Sequence, residues 1–157
     1  MADILERMMN DAKTALGQKI VAIKKKKKWT WPEIADRLGY STVWTAAACL
    51  GQMSMTEETA EKAGILFDLS EDEVATLQEA PYRGSLPTQV PTDPLIYRFY
   101  ELVMVYGTTW KELIQEEFGD GIMSAIDFDM TMERQPDQKG DRVKIGMSGK
   151  FLPYKRY

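Results

Sequence analysis

Any chemistry in this sequence has to be done without imidazole. None of its 157 residues is histidine, which removes the commonest general base, the commonest metal ligand and every triad that depends on one. The single cysteine, Cys49, rules out an internal disulfide and a cysteine-cluster zinc site. Two small constellations remain. Arg98 and Glu101 are the only charged residues between Leu95 and Tyr106, and at a spacing of three they share one face of a helix. Either they form a structural ion pair, as buried charges generally must, or Glu101 holds the guanidinium as a rigid fork for an anionic ligand. The second constellation is FGDGIMSAIDF, residues 118–128, where two glycines flank Asp120 and Ser124 follows. It reads as a helix-to-strand turn with Ser124 bonding locally, or as a small anion nest of backbone N–H groups plus a hydroxyl. Neither pattern is a general catalytic motif.

The elements that must position these residues fall into two modules. With 44% hydrophobic and 28% charged residues, the composition is globular. The length allows one domain or two small ones. PYRGSLPTQVPTDP, residues 81–94, holds four of the seven prolines, too dense a set for a helix or a central strand. It is read as a linker between an N-terminal helical module, residues 1–80, and a C-terminal module, residues 95–157. Asp3, Glu6, Arg7 and Asp11 interrupt the N-terminus where an export signal needs an apolar run. Nowhere do roughly 18 apolar residues run together. The expectation is a cytoplasmic protein without membrane contact.

In the first module Ile4, Met8, Leu16, Ile20 and Ile23 recur at helical spacing. Thr30 with Glu33 fits a capping box that Gly39 closes, Ser41 opens a second short helix that ends by Gly51, and Ser70 with Glu73 opens another. The pair around Gly39-Tyr40 has the look of a helix-turn-helix. A DNA-binding regulator with an oligomerising C-terminal module is therefore an alternative reading. Against it, the second helix, STVWTAAACL, carries no Arg, Lys, Asn or Gln to read bases or hold phosphates. The net charge is −4, with no net basic domain. No nucleic-acid partner is expected. The run Lys24 to Lys28 is read as a solvated helix C-terminus, where cations complement the helix dipole.

In the second module Asp93 and Pro94 cap a helix over LIYRFYELVMVY that Gly107 ends, and Thr109 with Glu112 caps another that Gly119 ends. The first is apolar nearly all round, so it is buried or lies in an interface. From Ile126 the sequence alternates, with Ile126, Phe128, Met130 and Met132 on one face and Asp127, Asp129, Thr131 and Glu133 on the other. Val143, Ile145 and Met147 alternate again, so residues 126–148 predict a hairpin, marginal in water unless something covers it. The fold class is α+β: a helical bundle with a helix-turn-helix-like motif, then helices and a β-hairpin that serves dimerisation.

The stretch LIYRFYELVMVYGTTWKELIQEEFGDGIMSAIDF, closing with GKFLPYKRY, resembles the cyanate hydratase (cyanase, cyanate lyase) family across essentially the whole C-terminal module. The N-terminal bundle is consistent with that family's helix-turn-helix-like domain, which does not serve transcription. The resemblance implies a catalytic set of Arg98, Glu101 and Ser124, with Ile122, Ala125 and Leu152 lining the substrate pocket. It implies that cyanate and bicarbonate are joined, carbon dioxide leaves, and the remaining carbamate decomposes to ammonia and a second carbon dioxide. No metal or organic cofactor is implied, bicarbonate being a co-substrate. The implied assembly is a homodecamer of five dimers with active sites shared between subunits. Repulsion between two anions about 4 Å apart is roughly 1 kcal/mol in water and about 4 at an effective dielectric near 20. The site must therefore supply positive potential and orientation.

Overall fold

A computed structural model of the chain describes residues 2–84 and 86–157, with side chains from residue 12 onward apart from 85. The side chains of Ile4 and Met8 therefore lie outside the described residues. The order is five helices, an irregular segment, a long helix and two strands: α1 (Ala2–Lys27), α2 (Trp31–Leu38), α3 (Thr42–Cys49), α4 (Glu57–Phe67), α5 (Glu71–Gln78), α6 (Pro94–Phe118), β1 (Gly121–Gln135) and β2 (Arg142–Pro153). The fold class is mixed α and β, with the strands paired as one two-stranded sheet. The chain divides into two compact units, Met1–Gly84 with Met130–Ile145, and Ser85–Asp129 with Gly146–Tyr157.

The helices of the first unit start where local chemistry says they should. Thr30 Oγ1 accepts from the Glu33 N–H at 3.4 Å and Glu33 Oε2 accepts from the Thr30 N–H at 2.6 Å, a complete capping box. Ser70 and Glu73 form a second. Gly39 is the left-handed C-cap of α2, and Ser41 Oγ caps α3. Leu16 and Ile20 of α1, Ile34 and Leu38 of α2, Ala48 and Cys49 of α3, Ala60, Ala63 and Phe67 of α4 and Leu77 of α5 make one core. In α3 the buried side chains are Thr45, Ala48 and Cys49, so the helix with no base-reading residues spends part of its surface on the core. Lys24 to Lys27 occupy the last turn of α1 and Lys28 follows at φ 56°, in keeping with the dipole reading. Lys27 and Arg37 lie over the Trp29 ring, 4.4 and 4.2 Å from its centroid.

The second unit corrects two expectations. The two helices expected on either side of Gly107 are one, the 25-residue α6. Gly107 stays within the helix, whereas Gly119 takes φ 92° and ends it. Glycine within a helix costs only about 1 kcal/mol, so it interrupts a long helix only when the chain takes a left-handed turn there. The second correction is the start of β1. It begins at Gly121, five residues before strict alternation does, and Ser124 lies within the strand. The Tyr154 N–H donates to the Asp120 carbonyl at 3.0 Å, so pairing beyond the end of β2 carries the hairpin past the alternating stretch.

No helix among the described residues is long and apolar enough to cross a membrane. None of the residues of α6 is buried, and Phe99, Leu102, Val103, Met104, Val105, Trp110 and Leu113 are all exposed. The intended apolar face of the hairpin is open too, with Ile126 98% exposed.

Candidate active site

All six residues expected of the site lie in the second unit. Arg98 and Glu101 stand on α6 at i and i+3, and Arg98 Nη1 donates to Glu101 Oε2 at 2.7 Å. Asp93 fixes the start of this helix by accepting from the Leu95 and Ile96 N–H groups at 2.9 Å each. The reading of this pair as a buried structural bridge does not hold within one chain. The side chains are 67% and 45% exposed, and an ion pair so open to water contributes at most about 1 kcal/mol to stability. The guanidinium keeps four of its five N–H donors for other acceptors.

Ser124 is the opposite case. It is 6% exposed, the least accessible residue of the hairpin. Its Oγ accepts from the backbone N–H groups of both Ile126 and Asp127, each at 3.0 Å. A hydroxyl has two acceptor lone pairs and one proton. Both lone pairs are engaged, so what Ser124 still offers is its O–H as a donor. The two incoming N–H groups polarise that bond and strengthen the donor. The local-bonding reading is the one the structure shows: the Ile126 and Asp127 amides bind the hydroxyl oxygen and are not free to line an anion nest.

A cleft of ≈ 370 Å³ lies between α6 and the start of β1, lined among others by Gly107, Trp110, Lys111, Asp120, Ile122 and Tyr154. Of the pocket residues implied by resemblance, Ile122 lines it; Ala125 and Leu152 do not, and both are exposed. Trp110, Lys111 and Tyr154 were not singled out by sequence. A signal for the helical part existed, because Gly107, Lys111 and Ile114 are spaced as one stripe of a continuous helix. Splitting the helix at Gly107 hid it.

Arg98, Glu101 and Ser124 are not part of the lining of this cleft. Gly107 stands nine positions after Arg98, which at about 100° per residue places the arginine roughly opposite the cleft stripe around α6. Among the described residues no hydrogen bond or ion pair connects the Arg98–Glu101 pair to Ser124. Nor does any group of three His, Cys, Asp or Glu side chains form a metal-binding cluster among them. Cys49 belongs to the core of the first unit, and burial pushes its thiol up to about 12. At neutral pH it is no nucleophile.

Comparison with known proteins covers most of the chain. Residues 88–156 match the family model described as the cyanate lyase C-terminal domain, and residues 13–81 the model described as cyanate hydratase, N-terminal. A cyanate hydratase of Dechloromonas aromatica (strain RCB) is 64% identical over 138 residues, 88% of this chain and 94% of that protein. Another, from Polynucleobacter asymbioticus, is 59% identical over 145 residues, covering 92% and 99%. A crystal structure of cyanase from T. urticae superposes with a TM-score of 0.75 at 35% identity, covering 87% of this chain and 96% of that one.

Proposed function

The chain belongs to the cyanate hydratase family and is an enzyme that decomposes cyanate, and on that premise we propose that it uses bicarbonate as co-substrate and works with Arg98, Glu101 and Ser124. A bicarbonate oxygen attacks the cyanate carbon, and the new C–O bond joins the two. Cleavage of the bond between that bridging oxygen and the bicarbonate carbon releases carbon dioxide. With the bicarbonate proton passed to nitrogen and one further proton taken up there, cyanate plus bicarbonate becomes carbamate plus carbon dioxide. Carbamate takes up a further proton and falls apart to ammonia and a second carbon dioxide.

The observation that carries the role of Ser124 is its doubly accepting hydroxyl, left with only a proton to give. Such a group suits an oxyanion, and a preorganised donor acts most strongly where negative charge builds up. Arg98 supplies the positive charge and the planar fork. Glu101, negative itself, orients that fork through the 2.7 Å bond. No covalent nucleophile is needed when orientation alone converts two dissolved anions into one encounter. Ile122, which lines the cleft of one chain, and Ala125 and Leu152, which do not, are assigned as apolar walls of the assembled site.

One arginine is thin provision for two anions, and in a single chain it faces away from the cleft. A site assembled from several protomers removes both difficulties, by bringing the Arg98 of one chain to the Ser124 of another. The exposed apolar surface of α6 and the open face at Ile126 supply the contact area. We read the assembly as five dimers forming a decamer in the cytoplasm, with no nucleic acid or membrane partner and no metal or organic cofactor.

Ammonia release from cyanate, measured with added bicarbonate and in buffer stripped of carbon dioxide, tests the co-substrate. Full turnover without bicarbonate would sink it.

A further inference from the structure

We propose that Gly149 of β2 is a positioning residue for Ser124, holding the hydroxyl in place by having no side chain. The inference rests on the reading of Ser124 as the anion donor and extends it across the hairpin. A Cβ at position 149 would fall on the Ser124 carbonyl oxygen and stand 2.6 Å from Met123 Cγ. The methionine could yield, but the carbonyl cannot move without the peptide that carries it. Gly149 has no positive φ, so space rather than backbone conformation is what demands glycine here. The same closeness recurs at Gly121, where a Cβ would meet the Leu152 carbonyl oxygen and the Phe151 ring. A close approach that leaves no room for a Cβ thus recurs at the serine and three residues before it.

This matters because the Ser124 donor is set by backbone. Its Oγ is located by two N–H groups only two and three residues on, at 3.0 Å each. Displacing the Ser124 peptide lengthens or misaligns both bonds and frees a lone pair. The hydroxyl then loses its fixed direction. A misplacement near 1 Å can cost about a hundredfold in rate.

The test is a double-mutant cycle on the assembled full chain, with Ser124→Ala, Gly149→Ala and the double variant assayed for ammonia release. Gly149→Ala is expected to lower kcat by about a hundredfold, with KM for cyanate changed by no more than a few-fold. The double variant is expected to be no slower than Ser124→Ala alone, because misdirecting an absent hydroxyl costs nothing further. A purely structural role for Gly149 predicts multiplied losses, and that result would overturn the proposal. Should Gly149→Ala assemble too poorly to assay, Met123→Ala with Gly149→Ala removes the side-chain part of the crowding and leaves the carbonyl contact. That variant is expected to assemble and remain slow, and wild-type turnover in it would overturn the proposal. If Ser124→Ala is slow while assembled Gly149→Ala is not, only this inference fails. If Ser124→Ala turns over normally, the anion-donor reading fails and takes this one with it.

Discussion

Replacing Arg98 by lysine keeps the charge and removes the fork, so it separates an anion held by geometry from one held by attraction alone. In the structure one guanidinium N–H is committed to Glu101 at 2.7 Å, and four remain in a plane. A lysine ammonium that keeps the Glu101 contact has two N–H donors left, and they cannot form the parallel pair that grips a carboxylate-like anion. The Coulomb attraction survives, about 4 kcal/mol for unit charges about 4 Å apart at an effective dielectric near 20. What is lost is one charge-assisted hydrogen bond, about 1.5–3 kcal/mol. At 1.36 kcal/mol per decade that is roughly a 10- to 160-fold drop in kcat/KM. Folding should hardly respond, because the exposed pair contributes at most about 1 kcal/mol. The assay is ammonia release from cyanate at saturating bicarbonate, on Arg98→Lys protein whose size matches the wild type. Turnover within about twofold of wild type in that assembled protein would refute the fork. Arg98 would then be a point charge or a bystander.

Three other outcomes are expected. Ser124→Ala removes a donor aimed at developing negative charge and should cost about 3–4 kcal/mol, a hundred- to a thousandfold in kcat, with the oligomer intact by sizing. Ile126→Asp should dissociate the assembly and abolish turnover, because a side chain 98% exposed in one chain would be covered by a partner; sedimentation at low micromolar concentration checks this, and a folded, active monomer would contradict the shared site. Thr30→Ala should lower the melting temperature by removing a cap contribution of about 1 kcal/mol while leaving turnover at 25 °C unchanged. Hydrogen bonding, first from the Thr30 N–H, holds the Glu33 carboxyl below its ordinary range. Alanine keeps that N–H and, of the bonds to the carboxyl, loses only the hydroxyl's 2.9 Å bond to Glu33 Oε2. Only the hydroxyl's share is therefore present above the usual carboxylate range and fades as pH falls through the lowered value, and wild type and variant should melt slightly closer together in acid.

How much was legible follows the range of the forces involved. Thr30 with Glu33, Ser41, Ser70 with Glu73 and Asp93 all mark helix starts in the sequence because a cap is settled within three or four residues. The same holds for the pairing of Arg98 with Glu101, which needs only a helix and a spacing of three. The missing histidines and the single cysteine excluded whole classes of chemistry before any fold was known. Other features depended on residues far apart in the chain. Gly107 and Gly119 look alike in sequence, and only the path of the whole chain keeps one helical and turns the other. The true start of β1 was invisible because Gly121 to Ala125 do not alternate, and pairing with the end of β2 is what makes them a strand. Ser124 is a plain serine until the backbone folds the Ile126 and Asp127 amides onto its oxygen and brings Gly149 against its carbonyl. Sequence named the groups that could hold an anion. Tertiary structure decided which way each one faces, because direction depends on long-range packing that no local spacing encodes.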